Sequence, residues 1–352
     1  MSRVINFAKA INEAYFQAME TDKSVISFGL GIDDPKSVFG TTSGLKERFG
    51  SERVFDMPTS ENAMTGVAIG ASLNGIRPVM CHQRLDFFLL AIDQLVNNAA
   101  KWQYMFGGTS KVPITIRLIL GQGWGQGPSH SQNLQSWFVH IPGLKVVMPS
   151  SADDAKGLLL SSIFDDNPVV FMEHRWLHNV TGHVPEGDYR IPLGRARLLK
   201  SGKDLTIVSY SYMTIESLYA YEALKKNGIE CDIIDLRCLK PIDWEMVLDS
   251  LNKTGKLLVL DTGNEMCSVA GEIIAKIATE HFSMLKEAPG RLALPDVPSP
   301  TSPALSRYYY KRAEDIVTAA GKILGKSFDI SEIIEKRKGP HDVPGDWFKG
   351  PF

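Results

Sequence analysis

The sequence predicts an α/β protein built from two three-layer domains, each with a parallel sheet covered by helices. Short apolar runs bounded by turn residues alternate with helical patterns in the first half, and the second half repeats this alternation. A stretch rich in Gly and Pro around 181–192 separates the two halves. With 352 residues the chain has room for two domains. We therefore predict domains over 1–185 and 193–326, followed by a tail over 327–352.

The first domain is expected to begin with an amphipathic helix over 3–20 and a strand over 24–29. Four further apolar runs are short and bounded by turns, which is typical of buried parallel strands: 77–82, 113–120, 144–149 and 168–173. Helices are expected between them at 61–74, 86–106 and 151–163. The second domain is expected to contain strands at 204–210, 230–236, 256–261 and 290–295, with helices at 213–226, 243–251, 269–284 and 312–324.

Composition excludes several classes of function. The chain is 44% apolar and 22% charged, as in an ordinary globular protein. A net charge of −2 gives no basic footprint, so nucleic acid is not an expected partner. No apolar run is long enough to span a bilayer, and no membrane partner is expected. The four cysteines form no CxxC pair, which is typical of reduced thiols and favours a cytoplasmic location.

The most informative segment runs from Asp56 to Ala71. A strand-like approach ends at Pro58, Thr59 or Ser60 offers a helix N-cap, and Glu61 is the one acid in the first turn. The helix that follows is rich in Ala and Gly, so another backbone can pack closely against it. Taken alone, Glu61 is explained by a favourable interaction with the helix dipole.

Other segments match one protein family in the same order and at the same spacing: Asn74–Val79, Asp86–Phe88, Gly127–Gln132, His140–Val147, Asp154–Leu159 and Asp166–Val170. Over about residues 40 to 325 the chain resembles the β subunits of 2-oxoacid dehydrogenase E1 components. These proteins depend on thiamine diphosphate and belong to the transketolase superfamily. The resemblance implies a pyrimidine-binding domain followed by a transketolase C-terminal-like domain.

The resemblance also implies three functional side chains. Glu61 matches the glutamate that bonds the distal nitrogen of the cofactor's aminopyrimidine, whose amino group then removes the C2 proton. Phe87 matches a ring packed against the aminopyrimidine, the alternative being a core phenylalanine on a helix that also carries Phe88. His130 matches a histidine facing the reacting carbon, the alternative being a hydrogen-bonded loop residue. The glycine-rich loop at 121–127 lacks the GxGxxG spacing of a dinucleotide site. The resemblance implies that this loop forms a wall of the active site.

Metal ligands follow a similar argument. The diphosphate of this cofactor is normally held through Mg²⁺ by a Gly-Asp-Gly motif, which the chain lacks. The Mg²⁺ ligands are therefore expected on a partner α subunit, in an α2β2 heterotetramer that serves a lipoyl E2 protein. The resemblance also places a monovalent cation such as K⁺ on main-chain carbonyls, those of Ile114, Ser162, Asp165 and Asn167. His174 and His178 lack a third ligand and the HExxH glutamate, so they are not expected to bind metal.

The activity implied is decarboxylation of a 2-oxo acid with transfer of the acyl group to lipoamide. Two alternatives stay open: the C-terminal half of a split transketolase, which moves a two-carbon ketol unit, and a non-catalytic scaffold. Intact Glu61 and His130 count against the scaffold. Arg84 departs from the family pattern near the substrate, so the substrate is not determined. The tail, with its large apolar groups Trp347, Phe348 and Phe352, is expected to serve partner contact and not the core, the alternative being a disordered end.

Overall fold

The computed structural model describes residues 3–122, 126–337 and 339–348. The chain forms two compact units. The first unit consists of the described part of 1–121 together with 137–193, and the second of 122–136 with the described part of 194–351. The segment that carries His130 therefore belongs to the second unit, although residues on both sides of the segment belong to the first.

Regular elements alternate along the chain up to residue 193. The strands are β1 Arg3–Asn6, β2 Val25–Gly29, β3 Val54–Asp56, β4 Arg77–His82, β5 Thr115–Leu120, β6 Lys145–Val147, β7 Val169–His174 and β8 Thr181–Val184. The helices are α1 Phe7–Thr21, α2 Ser37–Gly40, α3 Leu45–Phe49, α4 Glu61–Ser72, α5 Leu85–Phe88, α6 Ala100–Met105, α7 Gln135–His140 and α8 Ala152–Ile163.

Six strands of the first unit form a parallel sheet in the order β6-β7-β5-β4-β2-β3. Every residue of β5 and β7 is buried, as expected for strands covered by helices on both faces. Because the strands run in one direction, their last residues share one edge, which we call the carboxyl edge. It includes the chain just after Gly29, Asp56, His82, Leu120 and His174.

Two sequence-based assignments in this unit are wrong. Arg3–Asn6 is not helical but pairs antiparallel with Thr181–Val184. The helix begins only at Phe7, because the Asn6 side chain accepts a hydrogen bond from the Lys9 amide and caps it. The expected helix over 86–106 is divided into α5, a 3-10 turn at Leu89–Ala91, a π-helical segment at Gln94–Ala99 and α6.

The second unit repeats the alternation. Its strands are β9 Arg197–Lys200, β10 Leu205–Ser209, β11 Cys231–Asp235, β12 Cys238–Lys240, β13 Leu257–Asn264 and β14 Gly290–Leu294. Its helices are α9 Tyr212–Lys226, α10 Trp244–Thr254, α11 Val269–Glu280, α12 Pro303–Tyr309, α13 Ala313–Leu324 and α14 Ser331–Lys336. The sheet order is β14-β13-β10-β11-β9. The α/β prediction is confirmed, but β9 was not expected, and it runs antiparallel to β11.

The tail packs onto this second unit. Arg312, at the start of α13, is only 3% exposed. Its guanidinium donates to the carbonyls of His341 at 3.1 Å and Pro344 at 3.0 Å. Trp347 and Phe348 are half-buried, and Phe352 lies outside the described residues. The expectation that the tail does not serve the core is therefore wrong, because a buried cation depends on tail carbonyls.

None of the helices in the described ranges combines the length and the apolar character that crossing a membrane requires.

Candidate active site

Glu61 is the first residue of α4, directly after the turn that follows β3 at the carboxyl edge. Its side chain is only 5% exposed. Within the described ranges, no hydrogen-bond donor reaches its carboxylate, although its main-chain carbonyl accepts from Thr65 Oγ1 at 2.8 Å. Ser60 occupies the N-cap position, yet its side chain makes no capping hydrogen bond. A buried acid without a donor has lone pairs ready for a ligand that brings its own donor.

Phe87 and Phe88 have different environments on α5. Phe88 is fully buried and meets the His82 ring edge-to-face, with centroids 4.9 Å apart. Phe87 is only half-buried. The core role considered for Phe87 thus belongs to its neighbour. The position of Phe87 on the carboxyl edge suits packing against a flat ring.

His130 ends a short 3-10 turn, Pro128–His130, and is exposed. Its Nδ1 lies 3.1 Å from Ser129 Oγ, and its amide donates to the Gly127 carbonyl at 3.1 Å. Glu61 and Phe87 lie in the first unit, whereas His130 lies in the second. Of the glycine-rich loop predicted to line the site, Gly123–Gly125 lies outside the described residues.

Gln135 holds the His130 segment on the second unit. Its amide nitrogen donates to Asp261 Oδ1 at 2.7 Å, and Thr262 Oγ1 lies 3.2 Å away. All three side chains are buried. A glutamate at this position would place a second carboxylate against Asp261. The amide therefore suits its neighbour here.

The structure joins the segments that carry the four carbonyls proposed for a monovalent cation. Thr115 Oγ1 donates to the Ser162 carbonyl at 3.0 Å, and the Val169 amide donates to that of Ile114 at 3.0 Å. The Asn167 amide bonds the Asp165 side chain. Arg77 already donates to the Asp165 carbonyl at 3.0 Å. Each carbonyl has two lone pairs, but a cation at this place would share Asp165 with a guanidinium.

His174 and His178 belong to the buried interior. The Nδ1 of His174 accepts from the Trp176 amide at 3.2 Å, and Nε2 of His178 lies 3.2 Å from Glu173. Burial lowers the pKa of His174 to about 3 and that of His178 to about 4. In the described part of the chain, no group of three His, Cys, Asp or Glu side chains could hold a metal ion.

Sequence reasoning missed two buried arginines at the carboxyl edge. Arg84 follows the end of β4, and Arg175 follows the end of β7. Arg84 was noticed only as a departure from a family pattern. Nothing in the sequence marked Arg175 as buried, because an arginine that follows a strand is usually exposed to solvent. Their proximity arises only when β4 and β7 come together in the sheet.

Comparisons with known proteins agree with this architecture. The family model "Transketolase, pyrimidine binding domain" matches residues 3–180, and "Transketolase, C-terminal domain" matches 194–316. Among solved structures, a split gene transketolase described as an inactive beta4 tetramer aligns with a TM-score of 0.75 and 24% identity. The alignment covers 91% of this chain and 98% of that one, and at this identity it shows the fold alone.

Curated relatives match almost the whole chain. The beta subunit of acetoin:2,6-dichlorophenolindophenol oxidoreductase from Cupriavidus necator is 42% identical, over 92% of this chain and 98% of the relative. The 2-oxoisovalerate dehydrogenase subunit beta of Bacillus subtilis is 37% identical, over 90% and 97%. The mitochondrial pyruvate dehydrogenase E1 component subunit beta-2 of Oryza sativa subsp. japonica is 36% identical, over 89% and 84%.

Proposed function

The chain belongs to the transketolase-like family of E1 β subunits, and from this premise we propose that it is the β subunit of a thiamine-diphosphate-dependent 2-oxoacid dehydrogenase E1. The enzyme decarboxylates a 2-oxo acid and transfers the acyl group to lipoamide. The observation that carries this proposal is Glu61, a buried carboxylate at the carboxyl edge without a donor in the described part of the chain. Such a carboxylate can accept a hydrogen bond from a ligand that brings a donor.

When bound, the cofactor supplies a C2 carbanion as the nucleophile. Glu61 shares a hydrogen bond with the distal nitrogen of the pyrimidine ring and holds the proton there. Phe87 packs against the face of that ring and fixes its orientation. His130, exposed on its turn, binds the oxo group of the substrate or supplies a proton. Each role uses a side chain that the fold leaves accessible to a ligand or unsatisfied.

The rest of the site comes from a partner in this proposal. An α subunit supplies the Mg²⁺ ligands and completes an α2β2 heterotetramer, which serves a lipoyl E2 protein in the cytoplasm. Residues 1–185 act as the pyrimidine-binding domain, 193–326 as the C-terminal domain and 327–352 as the tail. A K⁺ ion on the carbonyls of Ile114, Ser162, Asp165 and Asn167 belongs to the same proposal. Their second lone pairs support it.

A second candidate substrate follows from the comparisons. The relatives that are 42% and 39% identical are acetoin oxidoreductase beta subunits, whereas the 2-oxoisovalerate and pyruvate dehydrogenase relatives are 37% and 36% identical. Acetoin is a neutral 2-hydroxy ketone, so its cleavage would need no site for a carboxylate. The two acetoin oxidoreductase relatives favour acetoin as the substrate. The split-transketolase alternative has no comparable support, because the transketolase structure shares the fold alone.

The proposal is tested by producing the chain with its α partner and measuring cofactor-dependent reduction of an artificial electron acceptor. The substrates are pyruvate, branched 2-oxo acids, acetoin and a ketose phosphate. We expect turnover only when both chains, Mg²⁺ and the cofactor are present. Activity of the chain by itself, or turnover of the ketose phosphate alone, would contradict the proposal.

A further inference from the structure

Two buried guanidinium groups lie around one aromatic ring in the first unit. Arg84 follows β4 and is 3% exposed, and Arg175 follows β7 and is 5% exposed. The guanidinium carbon of Arg175 lies 4.3 Å from the centre of the Phe39 ring, and that of Arg84 lies 5.8 Å from it. We call Arg84, Arg175 and Phe39 the arginine cluster. Cation–π contact with Phe39 holds both guanidinium groups in place.

The cluster brings two positive charges close together. Burial lowers the pKa of both arginines to about 10, and the field of Arg84 further lowers the pKa of Arg175. Arg84 donates to the Gly121 carbonyl at 3.1 Å, and Asp86 is the carboxylate whose field acts on Arg84. Each guanidinium group therefore lies within the field of the other. Placing like charges together in the interior is unfavourable, and an anion bound between them would relieve the repulsion.

Arg117 shows how the same unit treats an arginine that only supports the fold. It is fully buried and bonds both carboxylate oxygens of Glu173, with Nη2 and Oε2 2.8 Å apart. Burial would lower the pKa of Arg117, yet the fields of its neighbours, Glu173 among them, raise it well above the ordinary value. The pKa values of the two arginines of the cluster shift in the opposite direction, because burial is the largest influence on both.

The backbone that presents Phe39 is strained. Ser37, Val38 and Phe39 have φ values of 46°, 46° and 61°, a left-handed conformation that non-glycine residues rarely adopt and that is especially unfavourable for a β-branched residue. Three such residues in succession persist only where the surroundings hold them, and such strain concentrates at functional sites. The strained turn places the Phe39 ring against the guanidinium groups.

The cluster lies at the carboxyl edge of the sheet. Its residues follow the ends of β2, β4 and β7, and the Phe87 ring proposed for the cofactor comes three residues after Arg84. Glu61 follows β3 at the same edge. In parallel α/β sheets, ligands bind at the carboxyl ends of the strands. A substrate that reacts at a cofactor held by Glu61 and Phe87 would be within the same part of the first unit.

We propose that the arginine cluster binds an anionic group of the substrate, a carboxylate or a phosphate. Calling this ligand the substrate rests on the proposed function, whereas anion binding does not. A guanidinium fork matches the oxygens of either group with paired charge-assisted hydrogen bonds. The cluster therefore selects an acidic substrate over the neutral acetoin.

The kinetic test uses the complex with its α partner and four substrates: pyruvate, 2-oxoglutarate, a ketose phosphate and acetoin. Arg84→Gln and Arg175→Gln are expected to raise KM about 10- to 100-fold for the acidic substrate that the enzyme uses, since each removes charged hydrogen bonds. Their effect on acetoin turnover should be less than about threefold by the same argument. Arg48→Gln, a surface variant of the same unit, should behave as wild type. The acidic substrate whose KM rises in these variants shows whether the cluster binds a carboxylate or a phosphate.

A binding test on the full chain keeps failure of the inference apart from failure of the proposed function. Pyruvate or inorganic phosphate should raise the melting temperature of the wild type and of Arg48→Gln, but not of Arg84→Gln or Arg175→Gln. Arg84→Lys and Arg175→Lys serve if a glutamine variant does not fold. Anion binding without any turnover would sustain the inference and reject the proposed function. A wild type that anions do not stabilise, or equal KM changes for acetoin and acids, would overturn the inference.

Discussion

Two buried glutamates of the first unit have opposite surroundings. Glu173, in β7, is fully buried and accepts hydrogen bonds from Arg117, while His178 lies 3.2 Å away. Glu61, at the start of α4, is 5% exposed and has no donor on its carboxylate among the described residues. The fold satisfies one of these acids, and no donor among the described residues reaches the carboxylate of the other.

The difference between Glu173 and Glu61 distinguishes an acid that stabilises the fold from an acid that can bind a ligand. Burial by itself would raise the pKa of Glu173, but the field of Arg117 and the hydrogen bonds from His178 and Arg117 hold it at about 2. Such a network stabilises one arrangement of strands and offers a ligand nothing. An acid that accepts no hydrogen bond from the described residues can accept one when a ligand brings a donor. Burial thus indicates function only when the partners of the buried group are known.

The largest expected effect is on catalysis at Glu61. Glu61→Ala in the complex with the α partner should lower turnover by about 10²–10⁴, because one positioned acid–base group is lost. Unfolding free energy should change by about 1 kcal/mol or less, since the residue contributes only a favourable charge at a helix start. Steady-state assays with a thermal melt check both. Glu61→Asp retains the acid on a shorter side chain and should keep part of the activity.

The reverse result is expected at Glu173. Glu173→Ala leaves Arg117 buried without its carboxylate and should lower the free energy of unfolding by about 3–5 kcal/mol. Chemical denaturation measures the change. Replacing Arg117 by Leu in the same chain should recover part of the loss, since the uncompensated charge is then gone. A Glu173→Ala chain as stable as the wild type would remove the contrast between the two acids.

The network also predicts a pH dependence. Burial lowers the pKa of His178 from 6.5 to about 4. The folded state then binds fewer protons than the unfolded state, so this stabilising contribution is complete above pH 6.5 and is lost as pH falls towards 4. The loss amounts to about 3 kcal/mol. Denaturation between pH 7 and 4 should show this dependence in the wild type and a shallower one in His178→Gln, and identical curves would rule out His178.

The second unit contains a buried ion pair of the Glu173 kind, Glu216 with Arg312, which the tail completes. Removing every residue after Lys326 should lower the free energy of unfolding by about 1–3 kcal/mol, because Arg312 loses carbonyl acceptors. Ending the chain after Phe348 keeps those acceptors and provides the control. If the chain that ends at Lys326 melts like the wild type, the tail is no part of the core.

Much of the fold could be predicted because burial leaves a local signal. The run at 77–82 is apolar and bounded by turns, and β4 spans those same residues. The helix predicted over Arg3–Asn6 was wrong, because this segment pairs as a strand with Thr181–Val184, far along the chain. Strand β9 was not predicted either, since half of its four residues are exposed and the segment has little apolar pattern.

Part of the candidate site could likewise be predicted from the sequence, and part of it could not. Glu61 and His130 could be proposed from short motifs. That no donor in the described ranges reaches the Glu61 carboxylate depends on tertiary packing. The arginine cluster depends on two strand ends meeting and on a strained turn at Phe39, neither of which has a sequence pattern. Sequence reasoning thus located acids and histidines, and the packing distinguished Phe87 from its buried neighbour Phe88.

The most direct test of the distinction between the two glutamates is the rate of deuterium exchange at C2 of the bound cofactor, followed by proton NMR in the complex with the α partner. Glu61→Gln keeps the shape and one hydrogen bond but cannot hold the proton, so exchange should slow by about 10²–10⁴. Glu173→Gln, where folded, should exchange at the wild-type rate. A folded Glu61→Gln complex that exchanges as fast as the wild type would contradict the role assigned to Glu61.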